Sequence, residues 1–150
     1  MSRKVSFRGM IDSSLGNDAQ DTVHLHTIRG AVGYKITKMQ VFPNEPGAVT
    51  TEGVVKIFKI KQTAIDALVN FEDQTLLAAA YYTQYTGANT TANTLISIFD
   101  NEIFNQDIYI VYDEIGGTQQ SMNYYIELEQ MPLDLNENTV ATLKDIRNVA

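Results

Sequence analysis

No lysine or arginine occurs between Lys61 and Lys144, a stretch of 82 residues that carries 12 aspartates and glutamates. Residues 1–61 hold nine basic and five acidic groups, so this part is about +4, and the remainder is about −12 before Lys144 and Arg147 restore a little. Charge sorted in this way concerns surfaces and partners rather than fold. The basic part of one copy can meet the acidic part of another, which favours assembly. The net charge of −7 argues against nucleic acid as a direct partner, since such a partner ordinarily calls for a basic face.

Cysteine and tryptophan are absent. Without cysteine there is no disulfide framework and no thiolate zinc site, so stability rests on packing. No apolar run approaches the ~20 residues that a membrane span requires. The opening Met-Ser-Arg-Lys-Val-Ser-Phe is charged but leads into no apolar core, so a signal peptide is not expected. The expectation is a protein made in a cytoplasm that stays there or leaves inside a larger particle. Hydrophobic residues make up 44% of the chain, which excludes a disordered composition, while charged residues are only 19% and leave a neutral polar surface rich in Thr, Asn and Gln. A length of 150 residues fits one domain spanning 1–150 with a real core.

What is abundant is period-2 alternation, the signature of half-buried strands. Val5, Phe7, Gly9 and Ile11 oppose Lys4, Ser6, Arg8 and Met10. A polar loop follows over Asp12–Asp21, then a strand over Thr22–Ile28 with Val23 and Leu25 inward and His24 and His26 outward. After a turn at Gly30–Gly33, a strand over Tyr34–Phe42 switches its apolar parity, which predicts a bulge near Thr37–Lys38. Pro43–Gly47 turns the chain. A strand over Val54–Lys61 places Val55 and Ile57 opposite Phe58 and Ile60. Helical spacing of Ile65, Leu68 and Val69 predicts one or two helical turns within Thr63–Phe71. Thr75–Tyr82 reads as a buried strand, Gly87–Asn93 as a loop, Leu95–Phe99 and Asp107–Tyr112 as strands, and Gly116–Gly117 as a hairpin signal. Met122–Met131 is the cleanest strand, with Met122, Tyr124, Ile126 and Leu128 inward, ended by Pro132. Val140, Leu143 and Ile146 hint at a short helix or an extended arm within 136–149. About eight strands without a repeat predict an all-β fold: an antiparallel two-sheet sandwich, jelly-roll-like, with short helical segments.

Chemistry-bearing residues are few. His24 and His26 can both reach a zinc ion from one strand face, but no third ligand is evident. Asp100, Glu102 and Asp107, with Asn101 and Asn105, concentrate hard oxygens around one turn, without the EF-hand spacing or its central glycine. Asp113–Glu114 and Glu127/Glu129 are carboxylate pairs with no His or Lys predicted to tune them. No G-x-S-x-G elbow is present, and Gly116–Gly117 leads into a strand rather than a helix, so it is no phosphate loop. No metal, cofactor or catalytic activity is therefore expected. Of the pairs Tyr81–Tyr82 and Tyr124–Tyr125, one ring each must face outward. Tyr81 and Tyr125 are the expected interface residues, together with Arg3, Lys4 and Arg8 of the terminal strand.

The segments Gln74–Tyr82, Phe99–Ile110 and Asn123–Glu129, with the tail Thr139–Arg147, resemble those of small structural proteins encoded by tailed bacteriophages of marine bacteria. The resemblance spans most of the chain and carries no site motif, so no residue role transfers. It implies a virion structural protein, synthesised in the host cytoplasm, such as a capsid decoration (cement) protein. Such a protein binds and bridges subunits of the shell, with the major capsid protein or other virion proteins as partners and homo-oligomers expected. The alternative is a carbohydrate-binding β-sandwich module of a receptor-binding appendage.

Overall fold

β-Branched and aromatic residues at every second position favour the pleated backbone, and the computed structural model follows that pattern. It describes residues 3–12, 19–25, 32–46, 50–84, 93–116 and 120–133. Among them lie eight strands: β1 (Arg3–Ile11), β2 (Gln20–Val23), β3 (Val32–Pro43), β4 (Thr51–Phe58), β5 (Leu76–Gln84), β6 (Asn93–Phe99), β7 (Ile108–Glu114) and β8 (Met122–Pro132). They form two sheets, one of order β1-β8-β3 and one of order β2-β7-β4-β5-β6, with every ladder antiparallel.

The sheets share one core. Ile36, Met39, Tyr124, Ile126 and Leu128 of the three-stranded sheet pack in one apolar cluster with Val55, Ile57, Ile108, Ile110 and Tyr112 of the five-stranded sheet. Ile36 and Met39 both face inward although they are three positions apart. The register shifts between Ile36 and Lys38, and the extra residue Thr37 donates its hydroxyl to Glu127 O at 3.2 Å. The expected bulge thus restores parity within a single strand. A second shift falls between Ile57 and Phe58, so Phe58 meets Leu76 on the outer side of the larger sheet. There Phe58, Leu76, Val111 and Ile65 make a small second core.

That second core replaces the helix expected over Thr63–Phe71, and no helix forms among the described residues. Ile65 is buried, but Leu68 is 77% exposed. The backbone groups that a helix would pair internally are taken by side chains. Asp66 Oδ1 accepts from Leu68 N at 3.0 Å, Asn70 Oδ1 from Glu72 N at 3.0 Å, and Lys56 Nζ donates to Leu68 O at 2.6 Å. Short polar side chains competing for the backbone defeat helical spacing here. The result is an irregular strap, residues 59–75, laid across the larger sheet.

Three further expectations change. The first is the Gly116–Gly117 hairpin: β7 and β8 belong to different sheets, so their connection crosses the molecule instead of turning back. Gln120, buried at that crossing, donates to Thr51 Oγ1, while its carbonyl accepts the Tyr112 hydroxyl at 2.6 Å. The second is the loop Asp12–Asp21, from which Ala19 is buried and Gln20 and Asp21 join β2. The third is the strand Thr22–Ile28: β2 ends at Val23, and residues 26–28 lie outside the described set, as do most of the Gly87–Asn93 loop and the whole 136–149 segment.

Candidate interaction surfaces

The outer face of the three-stranded sheet is a grid set by register. Across β1, β8 and β3 lie Lys4, Glu129 and Lys35, then Ser6, Glu127 and Lys38, then Arg8, Tyr125 and Gln40, and last Met10, Asn123 and Phe42. Lys35 Nζ stands 3.6 Å from Glu129 Oε2 and Lys38 Nζ 4.0 Å from Glu127 Oε2. The Lys38 ammonium also sits 5.9 Å from the centroid of the Tyr125 ring. Pairs this accessible contribute at most about 1 kcal/mol each. Their significance is arrangement: the acidic column of β8 lies between two basic strands. The charge sorting along the sequence is therefore not a clean division of the surface, because antiparallel pairing brings the C-terminal glutamates among the N-terminal lysines. Four basic groups still outnumber two acidic ones here. The far end carries no charge: Phe42, 61% exposed, and Met10 flank Asn123, next to Tyr125 in the row before.

The outer face of the five-stranded sheet differs. Tyr81 lies between Ile96 and Val54, and Ala79 between Ile98 and Lys56. The strap covers β4 and β7 but leaves Ile96 and Ile98 of β6 open, next to its own Phe71, which is 69% exposed. Phe71 and Ile98 line a shallow cleft of about 200 Å³ that Asp100 also borders. Glu72 and Asp66, both exposed, lie on the same strap. The strap is held by Lys56, a buried side chain whose ammonium donates to Asp66 Oδ1 at 3.2 Å, and beside it Lys59 Nζ donates to Glu102 Oε1 at 2.8 Å.

The expected interface residues thus fall on different surfaces. Lys4, Arg8 and Tyr125 share the outer face of the smaller sheet, whereas Tyr81 belongs to the larger one. Arg3 has the inward parity of Val5 and lies across from Gln130, close enough to Tyr34 to oppose the rise that burial gives that phenol. Tyr82 packs against the core and Tyr124 is inside it, so each tyrosine pair does straddle its strand.

The other candidates disperse. Asp107 accepts from Leu25 N at 2.8 Å and faces His24 Nδ1 at 3.2 Å, which fastens the end of β2 to the start of β7. His26 lies outside the described residues. Glu102 is engaged with Lys59 and Asp100 is exposed on a separate rim, so the three carboxylates of that turn do not converge. Among the described residues no three His, Asp or Glu side chains come together around a possible ion. Glu114 Oε1 accepts from Gly116 N and Glu52 N, a turn-closing role, while burial, then Asp66, raise the carboxyl pKa of Asp113 against the pull of Lys56. A polar cleft of about 200 Å³ beneath the strap contains Lys56, Asp66, Asn70 and Asp73, and hydrogen bonds that close the strap already engage all four.

Sequence reasoning passed over Met10, Phe42, Ile96, Ile98 and Phe71 as surface groups. Alternation did place Met10 outward, and parity after the bulge sends Phe42 outward too, so both were recoverable. The exposure of Ile96 and Ile98 was not, because it depends on how far the strap reaches. No helix among the described residues is long and apolar enough to cross a membrane. No protein-family model and no curated protein matches the chain.

Proposed function

We propose that this chain is a non-catalytic structural protein of a virion, a decoration protein that docks on the capsid shell and bridges its subunits. The observation that carries this reading is β1. It is an edge strand, exposed along most of its length, and bears Arg3, Lys4 and Arg8 with no acidic residue. A charged edge is protected against indiscriminate strand pairing yet remains available to an acidic surface of matching shape.

The strand pairing supports a jelly-roll reading of the fold. β1 pairs with β8, β2 with β7 and β4 with β5, the nesting of a folded ribbon. The remaining pair, β3 with β6, is represented by the Ser97 hydroxyl donating to Met39 O at 3.0 Å, although the ladder of β6 runs to β5. Jelly rolls of two nested Greek keys are frequent in viral shells.

Co-sedimentation with shells lacking this protein tests the proposal. Wild-type chain is expected to pellet with the shells. The triple charge reversal Arg3→Glu, Lys4→Glu and Arg8→Glu is expected to lose that binding at low and moderate salt while keeping its fold. Failure of the wild-type chain to bind shells, with retention on a glycan array instead, favours the carbohydrate-binding alternative.

A further inference from the structure

We infer that copies of this chain join head to tail, the outer face of the three-stranded sheet of one copy seating on the outer face of the five-stranded sheet of the next. This goes beyond docking on a shell, because it names a second copy as the occupant of both apolar patches.

Each face has an apolar patch, at the Met10–Phe42 end of the smaller sheet and on edge strand β6 of the larger, with a charged margin beside it, and the margins are opposite in net sign. Met10, Phe42 and Tyr125 are bordered by Arg8 and Lys38. Ile96, Ile98 and Phe71 are bordered by Glu72 and Asp100. Pairing like faces sets the net-basic margin of Arg8 and Lys38 against itself, or Glu72 and Asp100 against themselves. Pairing unlike faces buries aromatic, Met and Ile side chains behind complementary charges, with the composition of a protein–protein interface centre. The two faces lie on opposite sides of the shared core, so a copy joined through one keeps the other open. Such a heterologous contact closes into a ring or propagates as a filament, and it cannot stop at a symmetric dimer.

Sedimentation velocity of the purified full chain, without particles, tests this. Wild-type protein is expected to form species that grow with concentration and dissociate as salt screens the margins. One variant carries Met10→Ser with Phe42→Ser, the other Ile96→Ser with Ile98→Ser, and Phe71→Ser serves as a second lesion on the latter face. All five positions are solvent-exposed, so unchanged circular dichroism is expected. Each variant alone should be monomeric. Mixing the first two should give a dimer and nothing larger, because only one intact face of each kind remains. Wild-type protein that stays monomeric at low salt, a variant that assembles like wild type, or a mixture that stays monomeric overturns the inference. The readout is independent of shell binding, so each proposal fails on its own experiment.

Discussion

The phenol of Tyr124 lies over the backbone of Gly9, its direct cross-strand partner: a Cβ at position 9 would stand 2.7 Å from the Tyr124 hydroxyl oxygen. The ring takes the space that an inward side chain of β1 would fill and carries its hydroxyl to the other sheet, where it donates to Asp21 Oδ2 on β2. One glycine thus allows one tyrosine to tie the two sheets together.

Gly9→Ala should therefore destabilise the fold by about 1–3 kcal/mol, the usual cost of overpacking. Tyr124→Phe, which keeps the ring but loses the bond to Asp21, should cost about 1 kcal/mol. Urea denaturation checks both, and the midpoint should fall with the slope unchanged.

Ile126 is fully buried in the middle of β8, between the ladders to β1 and β3. Ile126→Ala should lose about 2–5 kcal/mol, as large-to-small changes in packed cores do. Phe42→Ser, on the outer face of the same sheet, should stay within about 0.5 kcal/mol of wild type. Equal losses at the two positions would show that the sheet faces had been assigned the wrong way round.

Lys59 is buried against Glu102, whose carboxylate is partly open to solvent. Glu102→Ala removes the facing charge but not the ammonium, and should cost about 2 kcal/mol, below the loss expected for a wholly buried pair. Lys59→Met combined with Glu102→Leu should recover most of that loss. A double-mutant cycle from thermal or chemical melts measures the coupling.

Alkaline pH should unfold the protein. Burial raises the pKa of Tyr34, Tyr82, Tyr112 and Tyr124, with the bond to Asp21 adding to the effect at Tyr124. The folded state holds these protons more tightly than the unfolded chain, whose phenols titrate near 10.0. Their stabilisation is complete below that pH and is lost as pH rises through the higher folded values. Tyrosinate absorbance should therefore show the signal of these four phenols appearing together with loss of the circular dichroism signal.

Alternation is a local property, and what depends on it was legible in the residues. The inward face of β8, the outward Lys4, Arg8 and Tyr125, and the bulge at Thr37 follow from the pleat alone, because a strand has two sides whatever it pairs with. The strap was not legible. Ile65, Leu68 and Val69 have helical spacing, but Lys56 and Asp66 capture the backbone around Leu68, and Lys56 reaches it from a strand. Nor was the Gly116 region, where a hairpin and a crossing between sheets share the same turn chemistry and only the ladders of β7 and β8 distinguish them. Charge shows the division most clearly. Composition along the chain determined that a basic part precedes an acidic one. Antiparallel pairing of β8 between β1 and β3 then set Glu127 and Glu129 among lysines, because strand order joins residues far apart in sequence, so the location of each charge on the surface was a decision of the tertiary structure.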